Sequence, residues 1–250
     1  MTQTNRKIDV ICFSGTGNTR LVIDKITSIL RENNMEVCMK SEREPYTHEK
    51  GRELLLAFPI NSQSVSPYIW KYINSLPDGN QDPIHVVLTM NESASIIWPL
   101  KKVLEKKNYQ PKGIIEISMP NNMLLGSDTT SERMPAAISK AEQFAQDFIN
   151  QKEVWEEHLK GSAFVSFLSR DTVLPWVTMR MFNKLIADPA KCTKCGLCVK
   201  ECPVNNIRMD EFPVHLNHCD FCMHCGAVCK NDAVTVKGRP SCHIRSAKDI

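Results

Sequence analysis

The sequence has few glycines, a small net charge and no long hydrophobic run. Only 10 of its 250 residues are glycine, which excludes a collagen-like fibre. Its 31 basic residues nearly balance 28 acidic ones without a clustered basic face, so nucleic-acid binding is not expected. No segment reaches the ~18 consecutive apolar residues of a membrane-spanning helix, so no membrane span is expected.

Cysteine is scarce in the first 191 residues, where only Cys12 and Cys38 occur. The other nine of the 11 cysteines lie between Cys192 and Cys242. The N-terminus has no apolar core followed by small residues, so we expect no export signal and a cytoplasmic location. A dense cysteine segment in a cytoplasmic protein indicates metal binding rather than disulfides.

The cysteine-poor part consists of strand-like apolar runs interspersed with segments in which apolar residues recur at helical spacing. This alternation predicts an α/β fold with a parallel sheet covered by helices on both faces. The predicted strands are 7–13, 35–39, 53–58, 84–90 and 113–118, and the predicted helices are 19–30, one that begins at Ser66-Pro67, 99–107 and 135–150.

The cysteine block is an internal repeat. The spacing C-x2-C-x2-C-x3-C occurs at Cys192, Cys195, Cys198 and Cys202, and again 27 residues later at Cys219, Cys222, Cys225 and Cys229. Each half predicts a ligand loop, a short helical turn and a strand. Thiolates at this spacing favour iron–sulfur clusters. A zinc site built from CxxC pairs is the alternative, but it has no use for the third and fourth cysteines of each block.

The block resembles bacterial two-cluster ferredoxins over about residues 188–238. That resemblance implies two [4Fe-4S] clusters, with the fourth cysteine of each block serving the other cluster. The implied ligand sets are Cys192, Cys195, Cys198 and Cys229 for the first cluster, and Cys202, Cys219, Cys222 and Cys225 for the second. His224 lies between two of these ligands, and we expect its side chain to point to solvent; a hydrogen bond that tunes the cluster potential is the alternative.

A turn rich in glycine and hydroxyl groups follows the first predicted strand. It reads Ser14-Gly15-Thr16-Gly17-Asn18-Thr19 and precedes a predicted helix. A strand, a turn of small residues and a helix together can bind a phosphate through backbone N–H groups and the helix N-terminus. The turn lacks the lysine of a Walker loop and the G-x-G-x-x-G of dinucleotide sites. A generic glycine turn is the alternative.

This turn is similar to the phosphate loop of flavodoxins, and the resemblance covers roughly residues 6–150. It implies a flavodoxin-like, doubly wound, five-stranded parallel sheet of order 2-1-3-4-5, with FMN bound by residues 14–19 and by the loops after the third and fourth strands. The implied ring contacts are Pro59, Ile60, Asn61, Ser62, Thr89, Met90, Asn91 and Glu92. Neither loop offers the aromatic side chain that often stacks on the flavin in that family.

Together the two parts resemble the flavodoxin-domain ferredoxins of anaerobic microbes. The expected organisation is a flavodoxin-like domain over 1–160, an apolar helical connector over 161–187, a small α+β two-cluster ferredoxin domain over 188–240 and a polar tail over 241–250. The connector is rich in aromatic and methionine side chains. It either packs between the domains or exposes an apolar surface to a partner protein.

The expected function is electron transfer between FMN, two [4Fe-4S] clusters and redox partner proteins, such as a low-potential metalloenzyme. The sequence offers no catalytic constellation that would make an enzyme the first choice, and it leaves the oligomeric state open. One alternative is a flavin-dependent reductase of a small substrate, with the clusters as its electron supply. Another is a ferredoxin whose flavodoxin-like domain has lost FMN and serves only for docking.

Overall fold

The computed structural model describes residues 6–61, 64–90, 96–120, 130–155, 162–172, 174–238 and 244. The first part of the chain alternates strands and helices as predicted. Its strands are β1 (Lys7–Cys12), β2 (Glu36–Lys40), β3 (Arg52–Pro59), β4 (Pro83–Met90) and β5 (Gln110–Ser118), and its helices are α1 (Asn18–Glu32), α2 (Pro67–Ser75), α3 (Ile97–Lys106) and α4 (Thr130–Ile149).

The five strands form one parallel sheet in the order β2-β1-β3-β4-β5, which confirms the predicted topology. Side chains of a strand alternate between the two faces of the sheet. In β3, Leu55 therefore belongs to the core under α1 and α4, whereas Leu54 and Leu56 belong to the core under α2 and α3. Helices on both faces bury most of β1, β3 and β4, whereas the edge strands β2 and β5 stay partly exposed.

The ends of the helices follow from local chemistry. The α2 helix begins as predicted, with Ser66 Oγ accepting a hydrogen bond from Ile69 N at 3.4 Å and Pro67 in the first turn. The α4 helix begins at Thr130 and includes Pro135, the residue predicted to start it. Proline marks helix starts because it has no N–H to donate, but here it lies inside the helix.

The second part of the chain is built from short elements. They are α5 (Ala163–Asp171), α6 (Leu174–Phe182), β6 (Leu185–Ala187), α7 (Leu197–Lys200), β7 (Ile207–Met209), β8 (Pro213–His215), α8 (His224–Ala227) and β9 (Val234–Val236). The β6 strand pairs with β9, and β7 pairs with β8, both antiparallel. The first of these sheets begins at Leu185, inside the segment expected to be connector.

The backbone keeps the 27-residue repeat of the sequence. Helices α7 and α8 are offset by this distance, and so are strands β7 and β9. Residues with positive φ also come in pairs at the same offset, which are Lys194 and Phe221, Gly196 and Met223, and Asn205 and Asp232. Each half is therefore a ligand loop, a helical turn and a strand, as the sequence predicts.

The connector is partly buried and partly exposed. Trp176 is fully buried, and its indole Nε1 donates to the carbonyl of Ser169 at 2.6 Å. Phe164, Met181 and Phe182 are each at least 69% exposed. Across the residues that the structure describes, no helix has the length and apolar character needed to cross a membrane.

Candidate cofactor site

The phosphate loop, residues 14–19, connects β1 to α1. Gly17 directly precedes the helix with φ 102°, a left-handed conformation that glycine adopts without strain. The first turn of α1 contains no acidic residue, so no carboxylate competes for the positive end of the helix. Ser14 Oγ accepts from Arg20 N at 3.1 Å and fixes the start of the loop against the helix. This arrangement suits a phosphate.

The phosphate loop is held by the ends of neighbouring strands. The Thr19 and Thr89 hydroxyl oxygens are 2.7 Å apart, which joins the loop to the end of β4. Asn18 Nδ2 donates to the carbonyl of Pro120, just beyond β5, at 2.9 Å. Thr16 and Thr19 are 5% and 2% exposed, so their hydroxyls lie inside the protein rather than in solvent.

The loop after β3 lies beside the end of β4, as the flavodoxin resemblance implies. Ile60 N donates to Thr89 O at 2.8 Å. Asn61 and Ser64 exchange two backbone hydrogen bonds of 2.8 and 3.0 Å. The predicted ring contacts Ser62, Asn91 and Glu92 lie outside the described residues.

A cavity of about 180 Å³ lies between these segments. The structure brings most of the predicted cofactor-binding residues together on its wall, whereas Gly17 lies at the helix start and does not line it. The predicted residues on the wall are Ser14, Gly15, Thr16, Asn18, Thr19, Pro59, Ile60, Asn61, Thr89 and Met90.

The wall also includes residues that sequence reasoning missed. Met119 and Pro120 follow β5, and the position of a strand end in a doubly wound sheet is a signal that could have found them. Met179, Phe221, Cys222 and Met223 come from the connector and the second cysteine block, and no local pattern points to them. Phe221 places an aromatic side chain on the wall, and its ring stacks on that of Trp176.

The size and lining of the cavity set limits on its ligand. Its volume is below the roughly 300–1,000 Å³ of sites that enclose a drug-sized ligand. A mononucleotide would therefore fill the cavity and reach beyond it. The donor set fits such a ligand, because threonine hydroxyls and a helix N-terminus lie on one side and buried apolar side chains lie on the other.

The second ligand loop, residues 219–225, contacts the phosphate loop directly. A Cβ added at Gly15 would lie 1.7 Å from the carbonyl oxygen of Cys222. His224 Nδ1 lies 2.7 Å from Gly15 O and is the donor, since a carbonyl oxygen only accepts. The expectation that His224 points to solvent is therefore wrong. The contact joins residues 209 positions apart, which no local pattern reveals.

The cysteines lie near the partners that crossed ligation implies. Burial, and then the charges of Cys192, Cys195 and Cys229, raise the pKa of the Cys198 thiol. Burial raises the pKa of the Cys222 thiol to about 12, with further contributions from Cys219 and Cys202. Besides burial, Cys202 thus raises the pKa of Cys219, Cys222 and Cys225, and Cys229 raises the pKa of Cys198.

Backbone N–H groups surround the sulfurs in the same way in both halves. Lys194 N donates to Cys192 Sγ and Phe221 N to Cys219 Sγ, each at 3.4 Å. Asn206 N donates to Cys202 Sγ at 3.2 Å and Ala233 N to Cys229 Sγ at 3.3 Å. Such hydrogen bonds to sulfur are among the features that set the potentials of iron–sulfur clusters.

The arrangement of the described thiols does not match a site for a single metal ion. Within the described ranges, no three or more Cys, His, Asp or Glu side chains converge as the ligands of one metal ion would. A four-iron cluster needs a different arrangement, because its four cysteine sulfurs surround a group of several atoms.

Residues 184–230 match a known sequence family. It is the 4Fe-4S dicluster domain. Comparison with curated protein sequences finds no match. Among solved structures, the chain is similar to a flavodoxin from the domain Archaea, with 12% identity, a TM-score of 0.42 and coverage of 58% of this chain and 97% of that one.

Two further flavodoxins are similar to the same extent. One from Pseudomonas aeruginosa has 11% identity and a TM-score of 0.45, and it covers 58% of this chain and 97% of its own. The two-electron reduced flavodoxin of Megasphaera elsdenii has 14% identity and a TM-score of 0.41, with coverage of 56% and 98%. By strand order and family match, the chain joins a flavodoxin-like sheet to a segment similar to a 4Fe-4S dicluster domain.

Proposed function

We propose that this protein transfers electrons between FMN, two [4Fe-4S] clusters and redox partner proteins. The observation that supports the proposal is the shared cavity, in which the phosphate loop, the loops after β3 and β4 and a cysteine ligand loop meet. A flavin in this cavity would have Cys222, a cluster ligand, on the wall of its own site. The match of residues 184–230 to a 4Fe-4S dicluster domain supports the iron–sulfur part.

In this proposal different cavity residues contact different parts of the flavin. The phosphate loop and the N-terminus of α1 hold the phosphate, with Thr16 and Thr19 as hydroxyl partners. Phe221 and Met223, which are 4% and 6% exposed, exclude water on the opposite side. FMN, when bound, supplies chemistry in one or two electrons, whereas each cluster takes one.

The ligand sets are part of the proposal. Cys192, Cys195, Cys198 and Cys229 hold the first cluster, and Cys202, Cys219, Cys222 and Cys225 hold the second. The support is the repeat of the cysteine spacing together with the mutual electrostatic effects of the thiols within each set.

The test is a quantitative analysis of protein purified without oxygen. We expect about eight irons and eight acid-labile sulfides for each chain, together with one FMN. Gly17→Val should abolish flavin binding and leave the iron in place, because valine is strained at φ 102° and would distort the start of α1, where the phosphate is proposed to bind. Gly238→Val is the matched control, since Gly238 also has a left-handed φ of 76° but no atom of the described residues lies within 4 Å of an added Cβ.

Unchanged flavin in Gly17→Val would contradict the proposed phosphate site. Zinc in place of iron and sulfide would overturn the electron-transfer function altogether.

A domain that lost FMN and serves only for docking is the second candidate. The small volume of the cavity and the closeness of Cys222 to Gly15 favour it. The two candidates differ in one measurement: the docking candidate predicts a full complement of iron and sulfide without flavin absorbance.

A further inference from the structure

The two ligand loops differ in how they meet the flavodoxin-like part. The second ligand loop contributes Phe221, Cys222 and Met223 to the cavity wall, whereas no residue of the first ligand loop, residues 192–198, is among the described residues that line it. Crossed ligation makes the two halves of a ferredoxin-like segment chemically equivalent. In the tertiary structure the two halves are not equivalent, because only the second ligand loop lies on the cavity wall among the described residues.

The approach of the second ligand loop explains a glycine. An added Cβ at Gly15 would lie 1.7 Å from the carbonyl oxygen of Cys222 and 2.7 Å from its carbonyl carbon. Gly15 does not have a left-handed φ. The described glycines that do are Gly17, Gly51, Gly196 and Gly238. Glycine is therefore needed at this position for space rather than for conformation.

The same loop is also fastened to the segment that follows β3. The Asp220 carboxylate is 6% exposed and accepts a hydrogen bond from Tyr68 N, in the first turn of α2, at 2.8 Å. His224 donates to Gly15 O. The second ligand loop is thus bonded both to the phosphate loop and to the helix that follows the first ring loop.

The first ligand loop faces solvent. Cys195 is exposed, and so are Lys191, Lys194 and Lys200 around it. Lys194 lies 3.8 Å from Glu211, but Lys191 and Lys200 have no ion pair with any residue that the structure describes. The rim of this loop therefore carries three exposed lysines, two of them without an ion pair in the described part of the chain.

We propose that the second cluster is the one adjacent to the flavin, and that the surface around Cys195 is where a one-electron carrier protein with an acidic docking face binds. The proposal deepens the proposed function and rests on it. Each encounter moves one electron: the carrier is oxidised by one electron as the first cluster is reduced by one, or the reverse. Gly15, Asp220 and His224 act as positioning residues that hold the second ligand loop against the cavity.

The first test separates the second ligand loop from the cavity. In the full chain loaded with its cofactors, Gly15→Ala should raise flavin fluorescence several-fold, because quenching by the second cluster weakens with distance. It should also shift the midpoint potential of one cluster and leave the other unchanged. Gly51→Ala is the control, since no atom in the described part of the chain lies within 4 Å of a Cβ added at Gly51, although its φ of 86° makes the substitution strained.

A second pair of variants uses the internal repeat. Leu197 occupies in the first half the position that His224 occupies in the second, so His224→Leu is compatible with a ligand loop of this type. We expect His224→Leu to raise flavin fluorescence and to shift the midpoint potential of one cluster, as Gly15→Ala does. Leu197→His should leave flavin fluorescence unchanged. Loss of flavin from both Gly15→Ala and His224→Leu with iron retained would also support the shared wall.

The second test addresses the outer surface. Ferricyanide is an anionic one-electron oxidant, and its reaction with the reduced protein at low ionic strength should slow several-fold in Lys191→Glu and Lys200→Glu. The control is Lys106→Glu, an exposed lysine at the end of α3. An equal slowing by Lys106→Glu would overturn the assignment of the docking surface.

Normal flavin content with unchanged fluorescence and unchanged cluster potentials in both Gly15→Ala and His224→Leu would overturn the adjacency of the second cluster. This outcome would leave the proposed function intact. Absence of flavin from the unmodified protein would instead overturn the proposed function, and the cluster potentials of the two variants would still report on the contact.

Discussion

At the residue scale, the differences between the two halves of the cysteine repeat carry more information than their similarity. Lys194, Gly196 and Leu197 in the first half correspond to Phe221, Met223 and His224 in the second. Met223 adopts φ 60°, which costs a non-glycine residue roughly 1–2 kcal/mol. Met223 thus places a large apolar side chain where the first half has glycine, and this difference in the sequence already indicated that the second half packs against another part of the protein.

Cys202 gives a direct test of crossed ligation. Cys202→Ala should damage the cluster held by Cys219, Cys222 and Cys225, although Cys202 follows the first three cysteines in sequence. Electron paramagnetic resonance of the reduced protein, with iron analysis, would identify the cluster that is lost. Cys38→Ala, in β2, should leave both clusters intact. Loss of the first cluster with the second intact would show that ligation is not crossed.

His215 makes stability depend on pH. It is 4% exposed, neither ring nitrogen has a hydrogen-bond partner in the described part of the chain, and burial followed by the charge of Lys184 lowers its pKa to about 4. The unfolded value is about 6.5, so protonation favours unfolding. Stability is fully present above that value and is lost as the pH falls towards 4.

The expected cost of His215 protonation at pH 5 is about 2 kcal/mol. His215→Phe should therefore lose less thermal stability between pH 7.5 and pH 5 than the unmodified protein, as measured by circular dichroism. His218→Phe, at an exposed position, should follow the unmodified protein. Equal losses in all three proteins would refute the role of His215.

At the element scale, the first three strands are joined by a buried ion pair. Asp9 in β1 is fully buried, and its carboxylate accepts from Arg52 Nε in β3 at 2.8 Å and from the Tyr46 hydroxyl at 2.9 Å. Arg52 also donates to Glu36 in β2 at 2.9 Å. Removal of Arg52 would leave the buried Asp9 carboxylate with Lys40 Nζ, 3.6 Å away, as its one remaining cation among the described residues, and a poorly compensated buried charge is costly.

Arg52→Met should lower the free energy of unfolding by about 3–5 kcal/mol. Adding Asp9→Asn should restore part of the loss, because the buried charge is then gone. Urea denaturation measures both changes. Arg20→Met, which breaks the exposed pair with Asp24, should cost less than about 1 kcal/mol. A loss of similar size in Arg20→Met and Arg52→Met would contradict the argument.

Elements of the first part could be predicted because their signals are local. Apolar strands, helical spacing and the Ser66-Pro67 start all act within a few residues. The β6 strand could not be predicted in this way. It has three residues and exists because Leu185 pairs with Val236, a contact between distant segments. Short strands of this kind depend on their partner rather than on their own sequence.

At the scale of the whole molecule, the proposed cofactors would reverse the sign of the charge. The protein alone has a formal net charge of +3 at pH 7. The two clusters with their thiolates add about four negative charges and the FMN phosphate about two, which gives about −3. In native electrophoresis at pH 7 the loaded protein should migrate to the anode and the cofactor-free protein to the cathode. Equal mobility of the two forms would contradict the proposed cofactor content.

The sequence predicts each part of the molecule but not how the parts meet. The contacts that join them connect Gly15 with His224, Tyr68 with Asp220 and Arg43 with Glu201, pairs far apart in the chain. Their individual residues carry no distinguishing local pattern. The cavity wall was therefore predicted on the flavodoxin-like side and missed on the other.

The contact between Cys222 and Gly15 also bears on kinetics. The part of a flavin that lies beneath the second ligand loop would be released more easily once the hydrogen bonds of Asp220 and His224 had opened. Its residence time would then depend on how often the cysteine-rich segment lifts, in addition to the strength of the phosphate contacts. During assembly, the flavin would then bind before the cysteine-rich segment packs over it.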